Sequence, residues 1–265
     1  MNTQNMINDY MEGLKIKEIA IKYNVCECTV RNRFKRVGFK PSNRSKDKTL
    51  NVDYFQNIDT PNKAYVLGFI MADGCIMKTS KQQKKDNRLY IGISEKDKNI
   101  LEFIKEELNS QCDIVQYVNK NSYSSNPKVK LYINSQKVCH DLKNLGVTRN
   151  KTGKECIPPQ IINSEFLFDF LKGFFDGDGS VVNSYKKWSY FSFCSCFEMI
   201  NQISVELKKV GFTGALTPHK DKRHDDVYGL QITTKHDVLL LYRLFYENSK
   251  SYSLKRKMDK VILPE

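Results

Sequence analysis

The sequence predicts a mixed α+β protein: two pseudo-symmetric repeats, each ordered helix, two strands, helix, two strands, helix (αββαββα), preceded by a small all-helical module. Three observations predict it. Two apolar stretches, residues 66–74 and 171–179, share one pattern: an inner glycine (Gly68, Gly173), then an acid directly before a second glycine six residues on (Asp73-Gly74, Asp178-Gly179). After each stretch the hydrophobic period changes between 2 and 3.6 in the same order. The 265-residue chain carries a formal charge of +13, which demands a polyanionic partner.

In the first fifth of the chain, eleven Lys/Arg face five Asp/Glu. Met6, Ile7, Tyr10, Met11 and Leu14 mark one short amphipathic helix, and Ile16, Ile19, Ala20 and Tyr23 a second. Asn24 can take a left-handed conformation in the tight turn that follows. Val30, Phe34 and Val37 stripe a third helix whose other faces carry Arg31, Arg33, Lys35 and Arg36. This spacing is similar to the helix-turn-helix of resolvase-like and bacterial regulator domains, and Thr29, Arg31, Asn32, Arg33 and Lys35 are its candidate DNA contacts. The alternative is a three-helix module with a solvated basic face. Polar residues from Pro41 onward read as a linker, which gives a module over 1–40, a linker over 41–59, repeats over 60–148 and 165–265, and an inter-repeat linker over 149–164.

In the first repeat, Cys75 to Met77 continue as a strand, and Leu89, Ile91 and Ile93 alternate as a half-buried one. Ile100, Phe103, Ile104 and Leu108 then take a helical period. Residues 114–118 and 128–133 form a hairpin, and Ser135 opens a helix that ends at Gly146. The second repeat places strands over 180–182 and 190–194, a helix over 199–210, a hairpin from 215–217 to 229–233, and a helix from Thr234 through Phe245.

A glycine inside an apolar helix costs roughly 1 kcal/mol against alanine. Close approach of two helices, with Gly68 facing Gly173, would compensate and bring Asp73 and Asp178 together. The Asp-Gly ends predict a left-handed glycine at each helix C-terminus. An aspartate there meets the negative end of the helix dipole, so the pair calls for a cation. The alternative for either stretch alone is a core helix ending in a surface turn.

These two stretches resemble the signature motifs of the LAGLIDADG homing endonucleases in the single-chain form with two copies. The second matches closely, with Lys172 in the small-residue slot. The first has Leu67 in that slot and Met71 in place of the first of two acids. The resemblance covers roughly residues 60 to 262. It implies a DNA-binding saddle and a site-specific double-strand endonuclease that acts as a monomer on a long, asymmetric duplex. It further implies divalent metal, Mg²⁺ with Mn²⁺ as substitute, on Asp73, Asp178 and the backbone carbonyls of Ala72 and Gly177. The family's lysine near the scissile phosphate maps to Lys137 and Lys235; Glu95 and the Ser195 region are weaker candidates for ordering water.

Basic residues recur between strands in both halves: Lys78, Lys81, Lys84, Lys85, Arg88, Lys128 and Lys130 in the first, Lys186, Lys187, Lys220, Lys222 and Arg223 in the second. They are candidate phosphate and base contacts. No apolar run approaches the roughly 20 residues that span a bilayer, so nucleic acid is the better partner. The eight cysteines lack C-x-x-C spacing and read as reduced thiols of an intracellular protein, cytoplasmic or in an organelle matrix. Two other readings use the same fold, a non-cleaving DNA-binding regulator and an RNA splicing helper. A self-splicing intein is disfavoured, because Met1 opens the chain and Leu263-Pro264-Glu265 ends it.

Overall fold

The computed structural model describes residues 3–11, 14, 16–39, 47, 49–78, 86–117, 126–183, 187–221 and 226–265. The chain divides into two units, Met1–Lys46 and Asp47–Glu265.

The first unit holds α1 (Thr3–Met11), α2 (Ile16–Lys22) and α3 (Glu27–Arg36) around Met6, Tyr10, Ile19, Ala20, Val30 and Phe34. Asn24, at φ 49°, makes the turn between α2 and α3. Val37 is 56% exposed and lies outside this core, because α3 has already reached its C-cap there. Cys26 and Cys28 are joined by a disulfide, which corrects the expectation that all cysteines are free. Cys26 is extended at the N-cap and Cys28 is in the first helical turn, so their Cα atoms lie 5.4 Å apart, within disulfide reach.

The second unit runs α4 (Pro61–Asp73), β1 (Gly74–Met77), β2 (Arg88–Ser94), α5 (Lys98–Glu107), β3 (Val115–Tyr117), β4 (Lys128–Ile133) and α6 (Gln136–Asn144). A short α7 (Pro159–Ile162) precedes α8 (Leu167–Asp178), β5 (Ser180–Asn183), β6 (Ser189–Ser195), α9 (Phe197–Lys209), β7 (His219–Lys220), β8 (Tyr228–Ile232) and α10 (Lys235–Tyr242). A π-helical turn (Arg243–Glu247) and α11 (Lys255–Met258) follow. Each repeat builds one antiparallel sheet, β1-β2-β4-β3 and β5-β6-β8-β7. The expected αββαββα order is therefore the observed one.

Period-2 alternation sends one face of each sheet inward. Leu89, Ile91 and Ile93 pair with Ile133, Leu131 and Val129 on the buried face, and Tyr90, Gly92 and Ser94 pair with Tyr132, Lys130 and Lys128 on the other. In the second sheet Phe191 and Phe193 pair with Ile232 and Leu230, while Ser192 and Cys194 pair with Gln231 and Gly229.

One strand begins later than the sequence predicts. The hairpin expected from 215–217 starts at His219, since side chains pin the preceding segment. Asp237 accepts from Thr213 N at 3.0 Å and Gly214 N at 2.8 Å, and Ser204 Oγ donates to Leu216 O at 2.5 Å. Those backbone groups are thus occupied before a ladder can use them.

Candidate functional site

The signature helices α4 and α8 lie side by side in the core. Both are apolar on nearly every face, as a helix packed on all sides must be. Thr60 caps α4, its hydroxyl accepting from Lys63 N at 3.2 Å, and Pro61 occupies the first turn, where no amide proton is needed. A Cβ on Gly68 would run into the carbonyl oxygen of Phe170. One on Gly173 would run into that of Tyr65, and one on Gly177 into the Cβ of Ala72. The two backbones therefore touch along the helix pair, and only hydrogen fits at those places.

The helix ends differ from the expectation. Gly74 and Gly179 both sit at φ −83°, with ψ 153° and 170°, which is extended rather than left-handed backbone. Each helix runs straight into a strand. Glycine is required there for room: a Cβ would press on Ile70 at Gly74 and on the Phe175 ring and carbonyl at Gly179.

With no left-handed cap, the last carbonyls of each helix need other donors. Two lysines provide them. Lys151 Nζ donates to Ala72 O at 2.5 Å. Lys257 Nζ, 6% exposed, donates to Phe175 O at 2.6 Å, Asp176 O at 2.8 Å and Gly179 O at 2.6 Å, with Gly177 O at 3.5 Å. Its own pKa is pushed down to about 8 by burial.

Asp73 and Asp178 end the two helices and share one electrostatic environment. Burial first, then the charge of Asp178, pushes Asp73 up to about 6, against the opposing fields of Lys257 and Lys151. Asp178 is also raised, by burial, with Lys151 and Lys257 opposing and Glu155 adding to the rise. Asp178 keeps an exposed side chain although protein crowds it, so the centre is open on that side. A cavity of about 320 Å³ adjoins it, bounded by Asp73, Asp176 and Gly177 at the helix ends, Gly92, Ser94 and Lys128 on the first sheet, and Arg256. Arg256 holds Asp97 with two bonds of 2.7 and 2.8 Å.

Asp176, the acid replaced by Met71 in the first motif, has a different task. It is 3% exposed and accepts from Tyr65 OH at 2.6 Å and Leu254 N at 2.9 Å, which ties the C-terminal segment to both helices. Lys172 does the same from the neighbouring turn, donating to Ser249 Oγ at 2.6 Å, Ser251 O at 3.0 Å and Ser253 Oγ at 3.2 Å. Met71 is simply buried.

The donors at the helix ends are carboxylate and carbonyl oxygens, a hard set that suits Mg²⁺ better than Zn²⁺. Among the described residues no group of three or more His, Cys, Asp or Glu surrounds a closed metal site. A cation would rest on Asp73, Asp178, the carbonyls of Ala72 and Gly177, and oxygens from outside the chain. Ala72 O and Gly177 O already accept from lysines, but each carbonyl keeps a second lone pair.

The other candidates fall elsewhere. Lys137 Nζ pairs with Asp141 at 2.6 Å and Asp53 at 3.4 Å, and Lys235 Nζ lies 5.1 Å over the Trp188 ring and 3.3 Å from Glu265 O. The cations acting on the acid pair are Lys151 and Lys257, which the sequence reading missed. A signal existed: Lys151 lies 78 residues after Asp73 and Lys257 79 after Asp178, whereas the offsets of Lys137 and Lys235 are 64 and 57. Glu95 accepts from Gln116 Nε2 at 2.7 Å, and Ser195 ends β6.

On the first sheet, Lys128 and Lys130 stand on the outward face of β4. Lys130 lies 4.6 Å over Tyr117 and 5.5 Å over Tyr132, Arg88 lies 4.8 Å over Tyr132, and the hydroxyls of Tyr90 and Tyr117 bond at 3.1 Å. Lys78 is half-buried beyond β1; Lys187 and Lys220 are exposed in the second repeat. Lys81, Lys84, Lys85, Lys186, Lys222 and Arg223 lie outside the described residues. On α3, Asn32 and Lys35 are exposed, Arg31 pairs with Glu27 at 3.1 Å, Thr29 donates its backbone N–H to Cys26 Sγ, and Arg33 is half-buried.

No helix among the described residues is long and apolar enough to cross a membrane. A 197-residue stretch, 74% of the chain, is 24% identical to the replication factor C small subunit of Methanocaldococcus jannaschii, and spans about a tenth of that protein's length. Among solved structures, the homing endonuclease I-WcaI bound to its DNA recognition sequence matches with a TM-score of 0.52 at 19% identity, covering 84% of this chain and 96% of that one. The LAGLIDADG homing endonuclease I-LtrWI bound to target DNA matches with a TM-score of 0.46 at 16% identity, over 79% and 89%. The model of the LAGLIDADG-like domain matches residues 60–146 and again 165–245, the two segments that carry α4 and α8. Matched twice over most of its length, the chain belongs to the LAGLIDADG family.

Proposed function

We propose that this protein is a site-specific double-strand DNA endonuclease that hydrolyses phosphodiesters with divalent metal held by Asp73 and Asp178. The observation that carries the reading is the glycine-to-backbone contact of α4 and α8, which brings two helix-end carboxylates into one electrostatic environment. A hard cation, Mg²⁺ with Mn²⁺ as substitute, would supply charge neutralisation at the scissile phosphate and an activated water. Asp73 and Asp178 hold it, together with the carbonyls of Ala72 and Gly177. Lys128 lines the cavity together with Asp73, and in this reading it would meet a backbone phosphate. Lys137 and Lys235 remain candidates for groups that reach the phosphate once DNA lies on the sheets.

The two outward faces differ in chemistry. The first carries Tyr90, Tyr117, Tyr132, Arg88 and Lys130, and the second carries Ser192, Cys194, Gln231 and His219. One chain with two unlike faces suits a monomer on an asymmetric duplex. The test is incubation of the protein and Mg²⁺ with a library of duplexes, followed by sequencing of broken ends. One recurrent asymmetric site, cut in wild type and intact with Asp178→Asn, is the expected result. Binding without cutting would move the chain to the regulator reading, and preference for structured RNA to the splicing-helper reading.

For the three-helix unit we propose DNA contact through α3. A chain beginning at Asp47 should still cut at low salt but bind less tightly. Its affinity should fall less steeply with salt, by roughly 0.9 in log–log slope for each phosphate that α3 no longer neutralises. Equal affinities and slopes for the full and shortened chains, measured across a salt series, would reassign the unit to another partner.

A further inference from the structure

We infer that the two repeats divide the reading of DNA. The first sheet grips the duplex with little regard to its sequence, and the second, through Gln231 and Ser192, tells one base pair from another. The inference rests on the endonuclease reading and names what sets the specificity of that enzyme.

The outward face of the first sheet is paved with rings. Gly92 on β2 has no side chain, and Tyr90 lies along the strand above it: a Cβ on Gly92 would run into the Tyr90 hydroxyl and ring. The Tyr90 hydroxyl meets that of Tyr117 at 3.1 Å, so the two phenols spend their polar ends on each other. Tyr90 and Tyr132, cross-strand partners on β2 and β4, hold their ring centres 5.3 Å apart. Lys130 lies 4.6 Å from the Tyr117 ring and 5.5 Å from that of Tyr132. Arg88 stacks 4.8 Å over Tyr132 and already donates its Nε to Asn134 Oδ1 at 2.7 Å. These residues are all half-buried. Flat rings pack against whatever lies over them, and a lysine meets phosphate as a point charge. Neither presents a donor and an acceptor side by side to a base edge. Such a face supplies affinity and register, not discrimination.

The second sheet is built the other way. Ser192 on β6 and Gln231 on β8 are direct cross-strand partners on its outward face. Gln231 is exposed, and among the described residues neither its amide nor the Ser192 hydroxyl is taken up by a hydrogen bond. Tyr190 shares this face, but among the described residues it belongs to no ring cluster. A carboxamide carries donor and acceptor in one plane, the arrangement that pairs bidentately with adenine, and a hydroxyl beside it can serve as either partner. The polar ends that the first face has spent on itself are therefore kept for the ligand on the second.

The test uses the full chain, without divalent metal, and a randomised library of duplexes that is bound, recovered and sequenced. One recurrent site should emerge, strict on one side of its centre and loose on the other. Gln231→Ala, an exposed position, should erase the preference at the base pair it meets in the strict half, where wild type discriminates about tenfold or more. Lys130→Gln should weaken binding to all duplexes alike and lower the salt slope by roughly 0.9, with the order of preference unchanged. Equal strictness on both sides of the centre overturns the inference. So does a Gln231→Ala protein that keeps every preference, or a Lys130→Gln loss confined to one base pair. In those three cases a recurrent duplex site is still found, and the endonuclease reading stands. A library that yields no recurrent site sinks that reading, and the inference with it.

Discussion

Asp73→Asn should abolish double-strand cutting and yet make the metal-free protein more stable. In the native fold burial and Asp178 push Asp73 up to about 6 from its ordinary 3.8, so the fold prefers the protonated acid. Between those two values the native state binds more protons than the unfolded chain, and stability falls as pH rises through the window. Above about pH 6 the full penalty applies, about 2 kcal/mol once partial exposure is allowed for. Asparagine removes the charge at nearly constant shape. The urea midpoint of the metal-free variant should therefore exceed that of wild type at pH 7.5, and the two should converge below about pH 4. DNA affinity should remain. An Asp73→Asn protein that is less stable than wild type at every pH would mean that the carboxylate is held by favourable partners and not by a crowded acid pair.

Gly173→Ala should be strongly damaging, as should its counterpart Gly68→Ala. A Cβ on Gly173 would overlap the Tyr65 carbonyl oxygen and lie 3.0 Å from Phe69 N, both of them backbone atoms that cannot rotate away. The helices must part, and overpacking of this kind costs about 3 kcal/mol or more. The shift also separates Asp73 from Asp178, so cutting should fail even at temperatures where the variant stays folded. Gly211→Ala is the comparison: φ is +96° there but space is open, and backbone strain alone should cost about 1 kcal/mol. Urea titrations of the two variants give the contrast directly. A loss at Gly173 no larger than that at Gly211 would mean that α4 and α8 do not approach as closely as described.

Much of this was legible in the residues. Alternation of Leu89, Ile91 and Ile93 sets which face of β2 is buried, because a strand has a period of 2 and one face meets a core. The glycines at 68 and 173 announced a close contact, since a core helix otherwise has no use for them. Harder to read were features in which a side chain outcompetes the backbone. Asp237 and Ser204 take the hydrogen bonds of residues 213–216 and delay β7, and nothing local in that segment says so. The Cys26–Cys28 link likewise depends on where a helix begins, which brings two Cα atoms into range.

By itself, then, the sequence determined the repeat, the two apolar helices, the inward faces of the sheets and the aspartates that end each helix. Each of these follows from a short period or a spacing within about a dozen residues. Only the tertiary structure decided what neutralises those aspartates. Gly74 and Gly179 had to be there for space, not for a left-handed turn, so the last carbonyls of α4 and α8 were left to find donors. The donors, Lys151 and Lys257, come from 78 and 79 residues beyond the aspartates. No hydrophobic period reaches that far along a chain; only the folded path of each repeat back to its own helix end brings an ammonium to those carbonyls.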